Sequence, residues 1–473
     1  MSKTYPIEFS PLYRMRNRRK LARILKLDEK YFKQNHTYKY NHFSEPKSNG
    51  IGTRNFMVPE KELKSIQYYQ GKLDNDPASF NEYEANDYMK LLKNNDQNDE
   101  AIEVGKTFLS MSPQLKGYIN QYGYALYNKF VNISDEQIKE KESLFFSIVE
   151  EILDLCKQEK YSPVESTVNR VVKYALNQNP VNYELVLKMY DQLNPTLLSD
   201  KPYVNDEGRE FESRKERYYR LCTRAAFELK EYHRCVELAN QALALQIKWH
   251  YNALQWIKYY RGCSQLELKN YEEANREFIS LHNRIRGVNF YEVLYRIHAS
   301  LNEIKKANTY LLYEFFENGY DIKYLDLYKR LKEATDQTNN ELLIQIVDSF
   351  IKKLSDENNL SCDLTIASKY QNHSASDLYD EMYNLIMSHL DQYVERYKGR
   401  VIHYNDQNQY GSLSSKDEPI FFRQADYIYD EDVQRHDEVK YTIIPTYDSK
   451  KQRLTYKAIL IQLDESDYDF INH

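Results

Sequence analysis

The chain has 473 residues, 41% hydrophobic and 29% charged, which suits folded protein and excludes wholesale disorder. Only 12 Gly and 12 Pro favour long helices over many short turns, and no window approaches the roughly 20 consecutive apolar residues that span a bilayer. The net charge of −6 is unevenly spread: residues 1–70 carry 15 Lys and Arg against 6 Asp and Glu, so a polyanion contact is expected at that basic end.

Tyr is unusually frequent, with 45 residues against 19 Phe and 2 Trp. Lys, Asn and Ile are also frequent, as an AT-rich genome would produce. The opening Met-Ser-Lys-Thr-Tyr has no apolar run, so no secretory signal and a cytoplasmic location are expected. Cys156, Cys222, Cys235, Cys263 and Cys362 are scattered without a Cys-x-x-Cys pair, which fits neither a disulfide framework nor a zinc site. No metal or cofactor is expected.

Residues 1–75 read as a basic segment. A helical pattern runs from Leu12 to Leu27, with Leu21, Ile24 and Leu25 on one face and Arg19, Arg23, Lys26 and Lys30 on a basic stripe. Asn49-Gly50 suggests a tight hairpin, followed by a second helix. At Ser10 to Tyr13, Tyr40, Phe43, Lys47, Asn49, Gly50, Arg54, Pro59 and Leu63 to Gln67, the segment resembles the amino-terminal fingers region of retron-type bacterial reverse transcriptases. The resemblance implies RNA contact through Arg19, Arg23, Lys26, Lys47 and Arg54. It also implies a reverse transcriptase as partner, in a bacterial phage-defence setting. Polymerisation needs metal-holding aspartates. No Tyr-x-Asp-Asp turn is found, and Tyr429 to Asp432 lies in a different context. Contact without catalysis is therefore expected. The alternative is a helix-plus-hairpin cap with a solvated basic face.

Residues 80–355 are self-similar. The runs from Ala226 through Tyr232, Cys235 and Ala239 and from Gly262 through Tyr271, Ala274 and Phe278 repeat one pattern, and Ile304, Ala307 and Leu311 repeat it again. This is similar to the tetratricopeptide repeat. Small residues (Cys235, Gly262, Ala274, Ala307) let paired helices approach, while Tyr232 and Tyr271 pack the turns. Such pairs stack into a curved array that holds a protein on its concave side. Tyr218, Tyr219, Arg224, Tyr259, Tyr260 and Arg261 are the partner-binding candidates if exposed, the plainer reading being packing or solvation. His233 and His298 read as structural. Asn194 to Lys215 reads as a long loop and Leu360 to Ala375 as a linker. A helix then starts at an N-cap Ser376, carries an apolar stripe of Leu378, Met382, Leu385, Leu390 and Val394, and ends at Gly399, so that 356–398 form linker and helix.

From residue 399 to 463 the period falls to two. Arg400 to Tyr404, Tyr410 to Leu413, Pro419 to Arg423, Glu438 to Ile444 and Thr455 to Ile461 make five short strands, enough for an OB-type barrel. Gly399-Arg-Val401-Ile-His-Tyr404-Asn405, Asn408 to Leu413, Ile420 to Arg423, Val439 to Ile444 and Ala458 are similar to the cold-shock domain. That likeness implies weak binding of RNA or single-stranded DNA by stacking bases on exposed rings. His403, Tyr410, Phe421 and Arg423 form a partial platform. Ser412 and Gln424 replace two expected aromatics, Tyr404 takes a position usually directed inward, and the acidic tail 464–473 repels phosphate.

The fold expected is mainly α: a TPR-like α-solenoid with an N-terminal helix/hairpin segment and a C-terminal five-stranded OB-like β-barrel. The function expected is a non-catalytic scaffold binding nucleic acid and a protein partner. The alternative is a protein-interaction adaptor alone.

Overall fold

The computed structural model describes residues 60–464, apart from 112–116, 283, 286, 339, 416–417, 429–432, 449–450 and 452. The basic stripe, the Asn49-Gly50 hairpin, the Asp-rich stretch 429–432 and the tail beyond 464 lie outside the described residues.

Helices α1 (Glu60–Asn75), α2 (Glu82–Asn94), α3 (Asn98–Met111), α4 (Ile119–Leu126), α5 (Asp135–Glu140), α6 (Glu142–Leu155), α7 (Val164–Leu176) and α8 (Tyr183–Tyr190) open the described chain. Successive pairs then follow: α9 (Arg214–Glu228) with α10 (Tyr232–Leu243), α11 (Ala253–Glu267) with α12 (Tyr271–Leu281), α13 (Phe290–Ser300) with α14 (Ile304–Asn318), and α15 (Leu325–Asp336) with α16 (Glu341–Glu357). Each pair also packs on the next, which is the stacking that defines a solenoid.

The turn inside three of these pairs is the same device. Lys230, Lys269 and Asn302 take left-handed φ values of 61°, 63° and 59°. The next residue's N–H then reaches back to a carbonyl in the last helical turn: Glu231 to Ala226 at 2.8 Å, Asn270 to Gln265 at 2.8 Å and Glu303 to His298 at 2.9 Å. This satisfies carbonyls that a helix end would otherwise leave bare. Tyr232, Tyr271 and Ile304 open the second helix immediately afterwards, at the positions the repeat pattern marks. Cys235, Ala274 and Ala307 are buried where the helices cross. A Cβ on Gly262 would stand 3.0 Å from the buried Phe278 ring, so that side chain needs the glycine.

Three local expectations are corrected. The stretch from 194 to 215 contains a small antiparallel hairpin, β1 (Tyr203–Val204) with β2 (Glu210–Phe211). The late helix, α17 (Ala375–Ser388), is capped by Ser374, not Ser376, because Ser374 and Asp377 form a reciprocal capping box. Gly399 does not end that helix. A short α18 (Leu390–Tyr393) intervenes, and Gly399 sits inside β3 (Tyr397–Asn405), where the Tyr441 ring and the Ser414 carbonyl leave no room for a side chain.

The remaining strands are β4 (Tyr410–Leu413), β5 (Ile420–Arg423), β6 (Glu438–Asp448) and β7 (Arg453–Leu463). They close in the order β3-β4-β5-β7-β6, with β5 and β7 parallel and every other pair antiparallel. A five-stranded closed barrel with that crossing is an OB topology. Alternation places Val401, Leu413, Phe422, Val439, Tyr441 and Ala458 inside, and a register slip at the left-handed Leu460 brings Ile461 there too. The fold is thus mainly α, a TPR-like array ending in an OB-like barrel.

The barrel is not a bead on a string. Ile428, Ile444, Ile459 and Leu460 join the apolar core of the last helix pairs. Tyr313 on α14 donates to Asp426 Oδ1 at 2.6 Å, and Lys457 on β7 donates to the same oxygen at 2.6 Å and to the Tyr313 hydroxyl at 3.1 Å. All three side chains are buried. Arg396, between α18 and β3, donates to the Lys440 carbonyl at 3.0 Å and to Gln462 Oε1 at 2.8 Å. Burial brings its guanidinium down to about 10, against the pull of Asp391.

Candidate nucleic-acid interface

The four barrel residues singled out in the sequence share one face. In the β3–β4–β5 register His403 lies opposite Ser412 and Ser412 opposite Phe421, while Tyr410 lies opposite Arg423. Because side chains alternate along a strand, His403, Tyr410, Phe421 and Arg423 all stand outward, and all four are exposed. Tyr410 and Phe421 are 38% and 41% exposed, with ring centroids 5.9 Å apart and planes 35° from parallel. Two large rings left half-open to water, side by side on neighbouring strands, form a platform.

Glycine makes that proximity possible. A Cβ at Gly411, between Tyr410 and Ser412, would overlap the His403 carbonyl and the Phe422 ring beneath. Phe422 is fully buried and lies parallel to Tyr404, with centroids 6.1 Å apart, so the inner ring pair supports the outer one. Tyr404 therefore points inward, as its position in the cold-shock pattern implies, and its hydroxyl donates to Gln424. The Arg423 backbone N–H donates to Asp426 Oδ2 at 2.6 Å, which ties the platform to the buried Lys457–Asp426–Tyr313 contact.

Charge near the platform is mixed. Arg453 pairs with Glu418 at 2.6 Å, and Asp464 pairs with Lys398 at 2.6 Å. Arg423 and Lys457 are close enough to His282 on the helical side to lower its pKa, and with burial as the larger cause the imidazole falls to about 4.

The basic residues Arg19, Arg23, Lys26, Lys47 and Arg54 lie outside the described residues. The residues expected to bind a partner do not form one open surface. Tyr218 and Tyr219 are each 7% exposed and belong to the core, a correction whose cause is that α9 is covered by α8, α10 and α11. Arg224 lies over the Tyr183 ring at 5.7 Å, and Arg261 holds Glu277 and, at 2.7 Å, Asn240 Oδ1. Tyr259 and Tyr260 are half-buried beside Trp256 on α11. His298 is buried, 2.6 Å from Glu303 and stacked on Tyr310.

Sequence reasoning missed the Tyr313–Asp426–Lys457 contact. One available signal was the lone Lys457 at the head of the apolar run Ala458-Ile-Leu-Ile, since a buried lysine needs a partner. Nothing local marked Tyr313.

No family model matches the chain, and no curated protein matches it. Solved structures do match. One is the crystal structure of a Signal Transduction ATPase with Numerous Domains (STAND) protein with a tetratricopeptide repeat sensor, from Pyrococcus horikoshii, at 13% identity and a TM-score of 0.21. The match covers 70% of this chain and 48% of that one, so the chain spans about half the length of that protein. At that score the two backbones do not superpose as one fold, and the fold class here rests on helix order and strand pairing.

Proposed function

We propose that the chain is a non-catalytic scaffold that holds single-stranded RNA or DNA on the outer face of its barrel and a protein partner on its helical array. The observation that carries the first half is the exposed Tyr410–Phe421 ring pair, flanked by Arg423 and His403 on the strand-two and strand-three face of an OB barrel. That face is the one OB barrels use for oligonucleotides. Stacking is tolerant of sequence because every base has a π-face, and each ring contributes roughly 1–3 kcal/mol. A two-ring platform that binds mainly by stacking, with Arg423 beside it, supports weak binding with a shallow salt dependence.

Loss of both rings is the test. Tyr410→Ala with Phe421→Ala should weaken binding of a short oligouridylate in low salt by about thirtyfold, the lower bound of that stacking energy summed over two rings. Equal affinity of variant and parent removes the barrel from the reading. The bacterial, reverse-transcriptase-linked defence setting rests on the resemblance in residues 10–67 alone. Its test is co-purification of a reverse transcriptase or its RNA from the host.

A second reading, a protein-only adaptor, draws on a different observation. Tyr203, Val204 and Tyr251 are 64%, 54% and 60% exposed on the helical array, far from any ring platform in sequence. Partner capture unaffected by salt, with no oligonucleotide bound, would favour it.

A further inference from the structure

The connection from α10 to α11, residues 244–252, is long compared with the three-residue turns inside the pairs, and it is pinned at one point. His250 Nδ1 lies 2.7 Å from Glu216 Oε2, and His250 Nε2 lies 2.7 Å from Glu210 Oε1. The His250 backbone N–H adds a third bond, to Glu216 Oε1 at 2.5 Å. Glu216 stands in the first turn of α9 and is fully buried, while Glu210 belongs to the β1–β2 hairpin. One imidazole thus joins three segments: connector, hairpin and helix.

Carboxylates only accept hydrogen bonds. An imidazole that faces a carboxylate with each nitrogen needs a proton on both, which is the imidazolium form. The charged groups that face it are Glu216 from α9, Glu210 from the hairpin and Lys248 from its own connector, the last bonded to Glu210 at 2.5 Å. Burial works against the charge, and the two carboxylates outweigh it, so the His250 pKa is raised.

The segment that is pinned is also strained. Tyr251 and Asn252, the next two residues, have φ values of 51° and 59°. Asn tolerates the left-handed region, but a tyrosine adopts it at a cost. The Tyr251 conformation persists because its surroundings hold it.

We infer that His250 is a proton-operated clasp, which holds the connector and the hairpin 203–211 against α9 while charged and releases them when it loses its proton. A partner with a raised folded pKa contributes its stability fully below the unfolded value and loses it as pH rises through the folded one. The clasp is therefore closed below the raised pKa of His250, while its two carboxylates stay ionised, and opens as pH rises through it. Opening hydrates Glu216, relaxes the left-handed Tyr251 backbone and frees the segments that carry the exposed Tyr203, Val204 and Tyr251. The inference does not depend on nucleic-acid binding.

Amide hydrogen exchange on the full chain, corrected for intrinsic rates, tests it at about pH 6 and about pH 9. Residues 203–211 and 246–252 should exchange several-fold faster at the higher pH, while α13 to α16 stay unchanged. In His250→Gln they should exchange fast at both. Wild-type protection in His250→Gln, or no rise in the parent, overturns the clasp. If that variant fails to fold, the ring resonances of the parent decide: a His250 that titrates below the ordinary value of about 6.5 overturns it too.

Discussion

His282 and His250 show how two identical side chains acquire opposite pH behaviour from their surroundings. His282 is buried beside Tyr291, whose hydroxyl is 3.3 Å from Nε2, and its neighbours in charge are the cations Lys457 and Arg423. Burial first and those cations second bring it to about 4. The unfolded chain binds a proton at about 6.5, so the neutral ring contributes stability that is fully present above that value and is lost as pH falls toward 4. The contribution is on the order of 3 kcal/mol. His282→Phe should therefore flatten the acid limb of a urea-unfolding series between those two pH values, and an unchanged slope would refute the assignment. Sequence gives no hint of this difference, because each residue's neighbours come from elsewhere: Glu210 and Glu216 for His250, the barrel for His282. The same limit explains Tyr218 and Tyr219. Their pattern marks a helix, but which helices cover it is decided by packing. The barrel rings were legible for the opposite reason: strict alternation in Tyr410 to Leu413 and Ile420 to Arg423 tells inside from outside without any distant partner.

Among the elements, the repeated three-residue turn is the most informative. Three turns adopt the same left-handed stop, yet none uses glycine: Lys230, Lys269 and Asn302 occupy the position. With only 12 glycines in the chain, the conformation is imposed by the hydrogen bonds around it and not by the residue itself. Lys269 is exposed and its side chain makes no described ion pair, so Lys269→Gly should stabilise the array by on the order of 1 kcal/mol, seen as a higher urea midpoint at constant slope. A lower midpoint would mean that unfolded-state entropy outweighs the relieved strain. The repeat was readable in sequence because small and large residues recur at fixed offsets. The helix N-caps were less so: Ser374 and Ser376 differ only in whether Asp377 falls three residues downstream, and that offset favours Ser374.

At the scale of the molecule, the barrel and the last helix pairs behave as one body. Lys457 and Asp426 are buried in direct contact, with the Tyr313 hydroxyl bonded to both. Removing one member of such a pair leaves the other charge in a dry place, typically at a loss of about 3–5 kcal/mol. Lys457→Met should accordingly destabilise the protein strongly and expose the segment from α18 to β3 to protease. Adding Asp426→Asn to Lys457→Met should recover part of the loss. If the double variant is no better than the single one, the pair does not hold the barrel in place.

The Tyr313–Lys457 bond spans 144 residues of chain. On a ribosome, α13 to α17 emerge and pair with their near neighbours well before β7 is made. Until Ile459 and Leu460 arrive, the apolar end of the array that they cover faces water. The nascent protein thus passes through an interval with a completed spine and an open, sticky end. A product halted before β7 should depend on chaperones in a way the finished chain does not.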